Sequence, residues 1–366
     1  MAGSGFGTNF RITTWGETHG AGVGVVVDGC PAGLPLERED VQKYLDRRKP
    51  GQSKYTTQRK EGDQVEILSG IFEGRTTGTP ISMVVYNKDQ RSKDYSNIKD
   101  IYRPGHADFT FDMKYGFRDY RGGGRSSGRE TIGRVAAGAV AAKVLKELGI
   151  EIKAYAKAIA GIEVSKDHFD FAEMNNNPFN MPDKEAAKLV QEKADQMIKE
   201  MDSIGGIIEC QITGMPVGIG ETVFDKLDAE LSKAIMSIGS VKGFEIGDGF
   251  EAANLRGSEN NDDFICVDGK VAKETNHSGG VLGGMSDGST IVFRAAIKPT
   301  PSIAQTQKTV NRDLDNVEIE IHGRHDPMIV PRAVVVVESM AAVTILDGVL
   351  KNLGATMDNI KKIYGE

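Results

Sequence analysis

A glycine-rich loop flanked by arginines lies at residues 119–134, where the chain reads DYRGGGRSSGRETIGR. Three successive glycines leave backbone N–H groups open to a ligand, and the spacing of Ser127 and Glu130 predicts a capping box that starts a helix. Helix N-termini and guanidinium groups both favour anions. The segment therefore predicts a site for an anion, most simply a phosphate, with an ordinary surface turn as the alternative. Four arginines surround the predicted helix start: Arg121, Arg125, Arg129 and Arg134.

Two of the chain's 6 histidines lie in glycine-flanked turns. His19 follows Glu17 in WGETHG, and the two side chains point the same way if this turn is extended. His106 follows Pro104 and Gly105 in YRPGHADF, which places it on a rigid turn. Histidines act as general acids or bases when they titrate near neutrality. Glu17 and His19 indicate either an acid–base pair or part of a metal site, and no HExxH spacing supports the metal.

Two further loops follow predicted strands and carry polar residues next to prolines. Lys298–Ser302 reads KPTPS, and its two prolines hold Lys298 and two hydroxyl groups rigidly enough to bind a ligand. Gly323–Pro327 reads GRHDP and brings Arg324 close to Asp326. Loops at strand ends are frequent positions for site residues. The alternative for the second loop is a structural pair between Arg324 and Asp326.

The composition favours a small anionic ligand over a polymer. The chain has 366 residues and a formal net charge of −7, which disfavours nucleic acid and anionic membranes as partners. No signal-peptide pattern and no apolar run of membrane-spanning length is visible. The 3 cysteines are far apart, which argues against a disulfide framework and a Cys-rich metal site. We therefore predict a cytoplasmic protein whose arginines cluster locally around its ligand.

Strands in this sequence occur as hairpin pairs and do not alternate strictly with helices. This order predicts an α+β fold with antiparallel sheets, and no linker divides residues 1–366 into more than one domain. Pro331–Leu350 is ambiguous, because its valine run favours a strand while Pro331 and the spaced leucines favour a helix; we predict a helix. The other predicted helices are Leu36–Arg48, the segment from Ser127 to Gly149, Asp183–Met201 and Thr222–Ile238. The predicted strands are Phe10–Thr14, Gly22–Asp28, Val65–Gly70, Ile81–Tyr86, Ile150–Val164, Ile207–Thr213, Ile291–Ile297 and Val317–His322.

Seven segments, taken together, resemble the chorismate synthase family. They are WGETHG, YRPGHADFT, DYRGGGRSSGRE, VKGFEIGDGF, SGGVLGG, KPTPSI and GRHDP, and they occur in the family's order across nearly the whole chain. Any one of them is a weak signal, whereas seven in order are highly specific. Two positions depart from the family's pattern. Gly128 stands where many relatives carry Ala, and Lys54 often corresponds to Arg, whose bidentate geometry a lysine lacks.

The resemblance implies that the chain converts 5-enolpyruvylshikimate 3-phosphate to chorismate by anti-1,4-elimination of phosphate and a C6 proton. The reaction requires reduced FMN without net redox change. The implied fold is a β-α-β sandwich, in which a helix layer lies between two mainly antiparallel sheets, and the implied assembly is a homotetramer. A fungal branch of the family reduces its own flavin with NADPH. Here we expect reduced FMN to be supplied from outside, for example by a flavin reductase.

The family pattern also implies roles for individual residues. His19 corresponds to the acid that protonates the departing phosphate, His106 to the histidine that controls flavin protonation, and Asp326 to the aspartate near flavin N5. No metal site is implied. The implied substrate contacts are Arg48, Lys54, Arg129 and Arg134. The implied FMN contacts are Arg125, Ser126, Ser127, Gly239, Ser240, Gly283, Lys298, Pro299, Thr300, Pro301, Ser302 and Arg324.

Two other classes of protein are alternatives on the residues alone. A metal-dependent phosphohydrolase would use Glu17, His19, His106 and Asp108. A non-enzymatic protein would only bind a phosphorylated metabolite. Bound flavin distinguishes the family's enzyme from both alternatives, whereas a bound divalent metal without flavin favours the hydrolase.

Overall fold

The computed structural model of the chain describes residues 3–57, 61–88, 98–321 and 326–365. Every strand pair within these residues runs antiparallel. The strands are β1 (Gly5–Phe6), β2 (Arg11–Gly16), β3 (Gly22–Asp28), β4 (Val65–Ile67), β5 (Ile71–Phe72), β6 (Arg75–Thr76), β7 (Ile81–Tyr86), β8 (Glu151–Ile159), β9 (Ile162–Glu163), β10 (Gly206–Thr213), β11 (Val241–Ile246), β12 (Phe264–Val267), β13 (Lys270–Lys273), β14 (Val281–Leu282), β15 (Met285–Ser286), β16 (Ile291–Ile297), β17 (Gln307–Val310) and β18 (Asn316–Ile319). The helices are α1 (Arg38–Arg48), α2 (Asp108–Tyr115), α3 (Thr131–Glu147), α4 (Lys184–Lys199), α5 (Leu227–Met236), α6 (Gly257–Asn260), α7 (Val330–Lys351) and α8 (Met357–Tyr364).

Ten of these strands form two five-stranded sheets. The first has the order β1-β2-β3-β7-β4 and the second the order β11-β16-β10-β8-β9, while the other strands form two-stranded hairpins. Strand β16 shows why the sequence predicts it well. Its buried residues alternate with partly exposed ones, as expected for a strand with one face on the core. The prediction of a mixed α+β fold with antiparallel sheets is confirmed.

The helices α3 and α7 pack against each other and against strands of both sheets. Helix α3 contacts β3 of the first sheet and β8 of the second, and α7 contacts β8 and β10. Small residues make this packing possible, because α3 carries Gly133, Gly138 and several alanines on buried positions. The first turns of both helices face one side of the molecule, where the candidate site lies.

Helix α7 confirms the helical interpretation of the ambiguous valine-rich segment. Pro331 lies in its first turn, where a missing N–H costs nothing, and most of its residues are buried. Val330–Gly354 is long and apolar enough to cross a membrane by length and composition, yet 78% of its most apolar stretch is buried inside the protein. A helix that is buried on nearly all sides has apolar residues on every face, so its sequence lacks the period that would distinguish it from a buried strand.

Several predicted bounds were wrong. The strand predicted at Val65–Gly70 ends at Ile67, the extended segment predicted at Ile150–Val164 is divided into β8 and β9, and the α-helix predicted from Ser127 begins at Thr131. The backbone explains the error at α5. The helix predicted from Thr222 begins only at Leu227. Val223 has a φ of 66°, a left-handed conformation that an α-helix cannot include, and its side chain is 66% exposed. The strand predicted at Val317–His322 is β18, which begins at Asn316 and stops at Ile319, while His322 lies outside the described residues.

Gly138→Ala is expected to destabilise the fold by about 1–3 kcal/mol, because overpacking a close helix crossing forces both helices apart. An added Cβ at Gly138 would lie 2.2 Å from the Ser339 Cβ and 2.5 Å from the Ser339 Cα on α7. Urea unfolding followed by circular dichroism measures the loss. Gly128→Ala is the matched control, since its Cβ would meet nothing within 4 Å. Equal stabilities of the two variants would contradict this account of the α3–α7 contact.

Candidate active site

A cavity of about 570 Å³ lies between the first turns of α3 and α7, the end of α1, and the loops that precede α2 and follow β16. Its volume is typical of pockets for small organic ligands, which measure ~300–1,000 Å³. Three carboxylates line it, from Glu61, Glu130 and Asp326. The cationic lining residues are Arg48, Arg103, Arg125, Arg129, Arg134, Lys242, Lys298 and Arg332. Eight cations against three carboxylates leave five excess positive charges, in a chain whose net charge is −7.

The turns before α3 form one wall of the cavity. Two 3-10 turns, Gly124–Ser126 and Gly128–Glu130, lead into the helix, and the Ser127 Oγ accepts a hydrogen bond from the Arg129 N–H at 3.2 Å. The predicted capping box does not form, because Ser127 caps a 3-10 turn through the Arg129 N–H and not through the Glu130 N–H, and the α-helix begins only at Thr131. The Glu130 carboxylate accepts instead from the Thr14 hydroxyl and from Arg134 Nε, both at 2.8 Å. Charged partners nearby outcompete a single backbone N–H for this carboxylate.

A buried carboxylate joins two of the predicted substrate arginines. Asp63 Oδ2 accepts from Arg48 Nη2 and Asp63 Oδ1 from Arg129 Nη1, each at 2.7 Å. All three side chains are less than 10% exposed. Burial alone raises the pKa of Asp63, but the two guanidinium groups outweigh it and lower that pKa. Burial also lowers the pKa of Arg48 to about 10, which leaves it charged near neutrality. Sequence patterns did not single out Asp63.

His106 lines the cavity from the turn before α2 and contacts a second buried carboxylate. Its Nδ1 lies 2.9 Å from Asp108 Oδ1 and 3.0 Å from Arg103 Nη2. Asp108 is 4% exposed and also contacts Arg118 Nη1 at 2.7 Å. Burial raises the pKa of Asp108, but hydrogen bonds from Arg103 and His106 outweigh it and hold that pKa far below the ordinary value. Asp108 is therefore a carboxylate at neutral pH.

Asp326 lines the cavity from the segment just before α7. Its Oδ1 accepts from the Thr57 N–H at 2.8 Å and its Oδ2 from Arg332 Nη1 at 2.6 Å. Arg332 in turn donates from Nε to the Arg48 carbonyl at 3.0 Å. The sequence suggested Arg324 as the partner of Asp326; Arg324 lies outside the described residues. The sequence analysis did not identify Arg332 as a site residue, because its only distinguishing feature is its position after the proline at the start of a helix.

Two predicted ligand arginines also hold the cavity wall together. Arg125 donates to the Gly16 and Thr14 carbonyls at 3.1 Å and to the Thr14 hydroxyl at 2.6 Å. Arg134 binds Glu130 and donates to the Ser237 hydroxyl at 2.6 Å. Several N–H groups of both guanidinium groups therefore donate hydrogen bonds within the protein. Any ligand contact uses the donors that remain.

The KPTPS loop contributes Lys298, Thr300, Pro301 and Ser302 to the cavity lining. Lys298 donates from its backbone to the Ser240 carbonyl at 2.9 Å and from Nζ to the Gly105 carbonyl at 2.8 Å. Gly105 has a φ of 66°, and a Cβ there would lie 3.1 Å from the Pro301 Cβ. The turn that carries His106 therefore packs directly on this loop.

The structure brings most of the predicted site residues together, although their roles stay predictions. Fourteen line the cavity: Arg48, His106, Arg125, Ser126, Ser127, Arg129, Arg134, Gly239, Ser240, Lys298, Thr300, Pro301, Ser302 and Asp326.

Four described residues of the predicted site do not line the cavity. Lys54 is largely exposed and pairs with Asp195 at 2.8 Å. Gly283 lies in the turn between β14 and β15, and Pro299 lies within the KPTPS loop without reaching the cavity. His19 follows Thr18, which does line the cavity.

Four buried polar atoms on the cavity wall make no hydrogen bond to any described residue. They are Thr18 Oγ1, Arg48 Nε, Arg129 Nη2 and Thr300 Oγ1. The Arg129 atom lies 3.6 Å from Glu61 Oε2, beyond hydrogen-bond distance. Buried polar atoms normally have partners, so these four are suited to a polar ligand. Within the described ranges, no group of three or more His, Cys, Asp and Glu residues is arranged to hold a metal ion.

A preformed cavity lined by excess cations, two buried carboxylate–arginine clusters and a histidine defines an enzyme that acts on anionic ligands. The model of the chorismate synthase family matches residues 10–350. The chain is 68% identical to the chorismate synthase of Lachnospira eligens and 65% identical to that of Agathobacter rectalis, over 100% of this chain and at least 99% of each relative. A crystal structure of a chorismate synthase superimposes with a TM-score of 0.77 at 31% identity, covering 98% of this chain and 96% of that one. The chain belongs to the chorismate synthase family.

Proposed function

We propose that this cavity is the active site in which 5-enolpyruvylshikimate 3-phosphate loses phosphate and its C6 proton to give chorismate. The observation that carries the proposal is the excess of cations at this cavity in a protein of net charge −7. Eight cations face three carboxylates among the lining residues, and three cations remain in excess when the buried Asp63 and Asp108, which pair with lining arginines, are also counted. The substrate carries a phosphate and carboxylates, and FMN carries a second phosphate. Two anionic ligands in one site need many cations, and the charge of the ligands offsets the mutual repulsion of those cations.

The donor set of the cavity fits reduced FMN. Thr300 Oγ1 has no described hydrogen-bond partner, and Thr300 lines the same cavity as Ser302 and the two serines before α3. We assign FMN to the predicted residues that line this part of the wall, namely Arg125, Ser126, Ser127, Gly239, Ser240, Lys298, Thr300, Pro301 and Ser302. Reduced FMN, when bound, supplies an electron transiently and recovers it, which accounts for the lack of net redox change.

Arg48 and Arg129 bind the substrate's anionic groups in this proposal. Their shared partner Asp63 holds the two guanidinium groups in a fixed relation, and each keeps one nitrogen without a described partner. Preorganised donors of this kind stabilise charge that develops on a leaving group without reorganising during the reaction. Arg134 belongs to the same contact set, while Lys54 reaches the substrate only if it leaves Asp195.

The remaining roles are for proton transfer. His19, beside the cavity-lining Thr18, protonates the departing phosphate. His106 exchanges a proton on the flavin side, and Asp326 accepts a hydrogen bond from a ligand N–H. Histidine and carboxylate groups within hydrogen-bond reach of the reacting atoms commonly contribute ~10²–10⁴-fold to rate.

We also propose the assembly and setting that the family implies. The chain folds as one domain, with α3 and α7 in a helix layer between the two sheets, and four copies form a homotetramer. The enzyme works in the cytoplasm with reduced FMN from an external supply, without NADPH oxidation of its own.

The proposed function is tested by anaerobic incubation with 5-enolpyruvylshikimate 3-phosphate and FMN reduced by dithionite. Chorismate is expected with reduced FMN and none with oxidised FMN, because only the reduced flavin can donate an electron. Chorismate and released phosphate are measured together. Equal rates with both flavin forms would contradict the flavin role, and phosphate release without chorismate would favour a phosphohydrolase.

A further inference from the structure

The Asp108 carboxylate is held by several groups besides His106. Its Oδ2 accepts from Arg103 Nε at 2.7 Å and from the Arg103 backbone N–H at 3.1 Å. Its Oδ1 accepts from Arg103 Nη2 at 2.8 Å and pairs with Arg118 Nη1 at 2.7 Å. Since Asp108 is held on several sides and is 4% exposed, its position next to the imidazole is well defined.

The Nδ1 of His106 has two neighbours with opposite requirements. Asp108 Oδ1, 2.9 Å away, can only accept a hydrogen bond, and Arg103 Nη2, 3.0 Å away, can only donate one. Arg103 Nη2 already has an acceptor in Asp108 Oδ1. The arrangement in which Nδ1–H donates to Asp108 therefore leaves all three groups with a partner. The carboxylate also offsets the positive charges of Arg103 and Arg118 next to the ring.

We infer that Asp108 is a positioning residue that keeps the proton of neutral His106 on Nδ1 and leaves Nε2 to exchange a proton in the cavity. This inference rests on the proposed function, because it specifies how His106 performs its part. The Nε2 lone pair forms an N–H bond as the bound ligand's bond to that hydrogen breaks, while Nδ1–H stays donated to Asp108. Return of the same proton from Nε2 to the ligand restores the neutral ring, so no further reactant is required.

Asp108→Asn is expected to lower kcat by at least ~10²-fold, since the corresponding change in serine proteases leaves the geometry intact, favours the wrong tautomer and costs ~10⁴-fold. KM and FMN affinity should stay within about twofold, because the interaction acts on the reacting proton and not on ground-state binding. Steady-state kinetics and flavin titration measure both quantities on the purified variant.

Asp112→Asn is the matched control. Asp112 lies one turn later on α2, is 8% exposed and pairs with Arg312 at 2.7 Å and with Arg118 at 3.4 Å. It shares the buried ionic network, and it makes no hydrogen bond or ion pair with His106 in the described residues. Parallel losses of kcat and melting temperature in the two variants would show that Asp108 only supports the fold, and the inference would be wrong.

Nitrogen-15 NMR of the unmodified protein tests the inference even if Asp108→Asn fails to fold. The imidazole resonances are assigned by their loss in His106→Ala and recorded at a pH where the ring is neutral. A protonated Nδ1 supports the inference, whereas a protonated Nε2 with Nδ1 accepting from Arg103 overturns it. If the unmodified protein makes no chorismate, the proposed function fails while the tautomer result still stands.

Discussion

His106→Ala is expected to lower turnover by at least ~10²-fold, the usual loss when a general acid or base is removed. The imidazole lines the cavity on a turn that Gly105 and Lys298 hold in place, so a ligand meets it in a defined position. Folding should change little. Asp108 keeps its contacts with Arg103 and Arg118 after the ring is gone, and the lost hydrogen bond is worth about 1 kcal/mol.

The measurement compares kcat, FMN affinity and melting temperature for this variant. His168→Ala serves as its control, because His168 is exposed in a short 3-10 turn away from the cavity lining. The control should retain full turnover. A His106→Ala protein that keeps both its turnover and its stability would show that the ring takes no part in the reaction.

Local patterns were sufficient to predict most of the fold. Strands β3, β7 and β16 have the predicted bounds, because each combines branched apolar residues with a buried face. Helix α3 also ends as predicted, with Gly149 at a φ of 74° just beyond its last turn. The start of α5 could not be predicted, because the spacing of apolar residues gives no sign of the left-handed backbone at Val223.

The sequence predicted many of the residues that line the site, but not which of them bind each other. Arginines and small loops indicated an anion site, and the spacing of four residues between Glu130 and Arg134 allows the ion pair that forms. Nothing along the chain shows that the Thr14 hydroxyl, 116 positions away, donates to the same carboxylate. Asp63 lies in a charged segment without periodicity, and its backbone has a φ of 41°. Its link to Arg129 joins residues 66 positions apart. Such pairings depend on how the elements pack, which is the part of the information that spacing along one chain does not contain.

Asp326→Asn is expected to bind FMN and substrate nearly normally and to turn over at least ~10²-fold more slowly, as for an interaction made mainly in the transition state. The side-chain amide keeps the size of the carboxylate and can still accept from the Thr57 N–H. It loses the negative charge that would favour a ligand N–H beside it. It also loses the ion pair with Arg332, whose Nη1 lies 2.6 Å from Oδ2.

Arg332→Gln separates these two losses, because it removes the ion pair and leaves the Asp326 carboxylate in the cavity. If the charge of Asp326 acts on the ligand, Arg332→Gln should retain much more turnover than Asp326→Asn at comparable melting temperatures. If Asp326 only anchors the first turn of α7, both variants should lose stability and FMN affinity together, with turnover falling in proportion. Measuring kcat, FMN affinity and melting temperature on both variants therefore decides whether Asp326 acts in the reaction or only stabilises the cavity wall. Only a role in the reaction lowers kcat while FMN affinity stays unchanged.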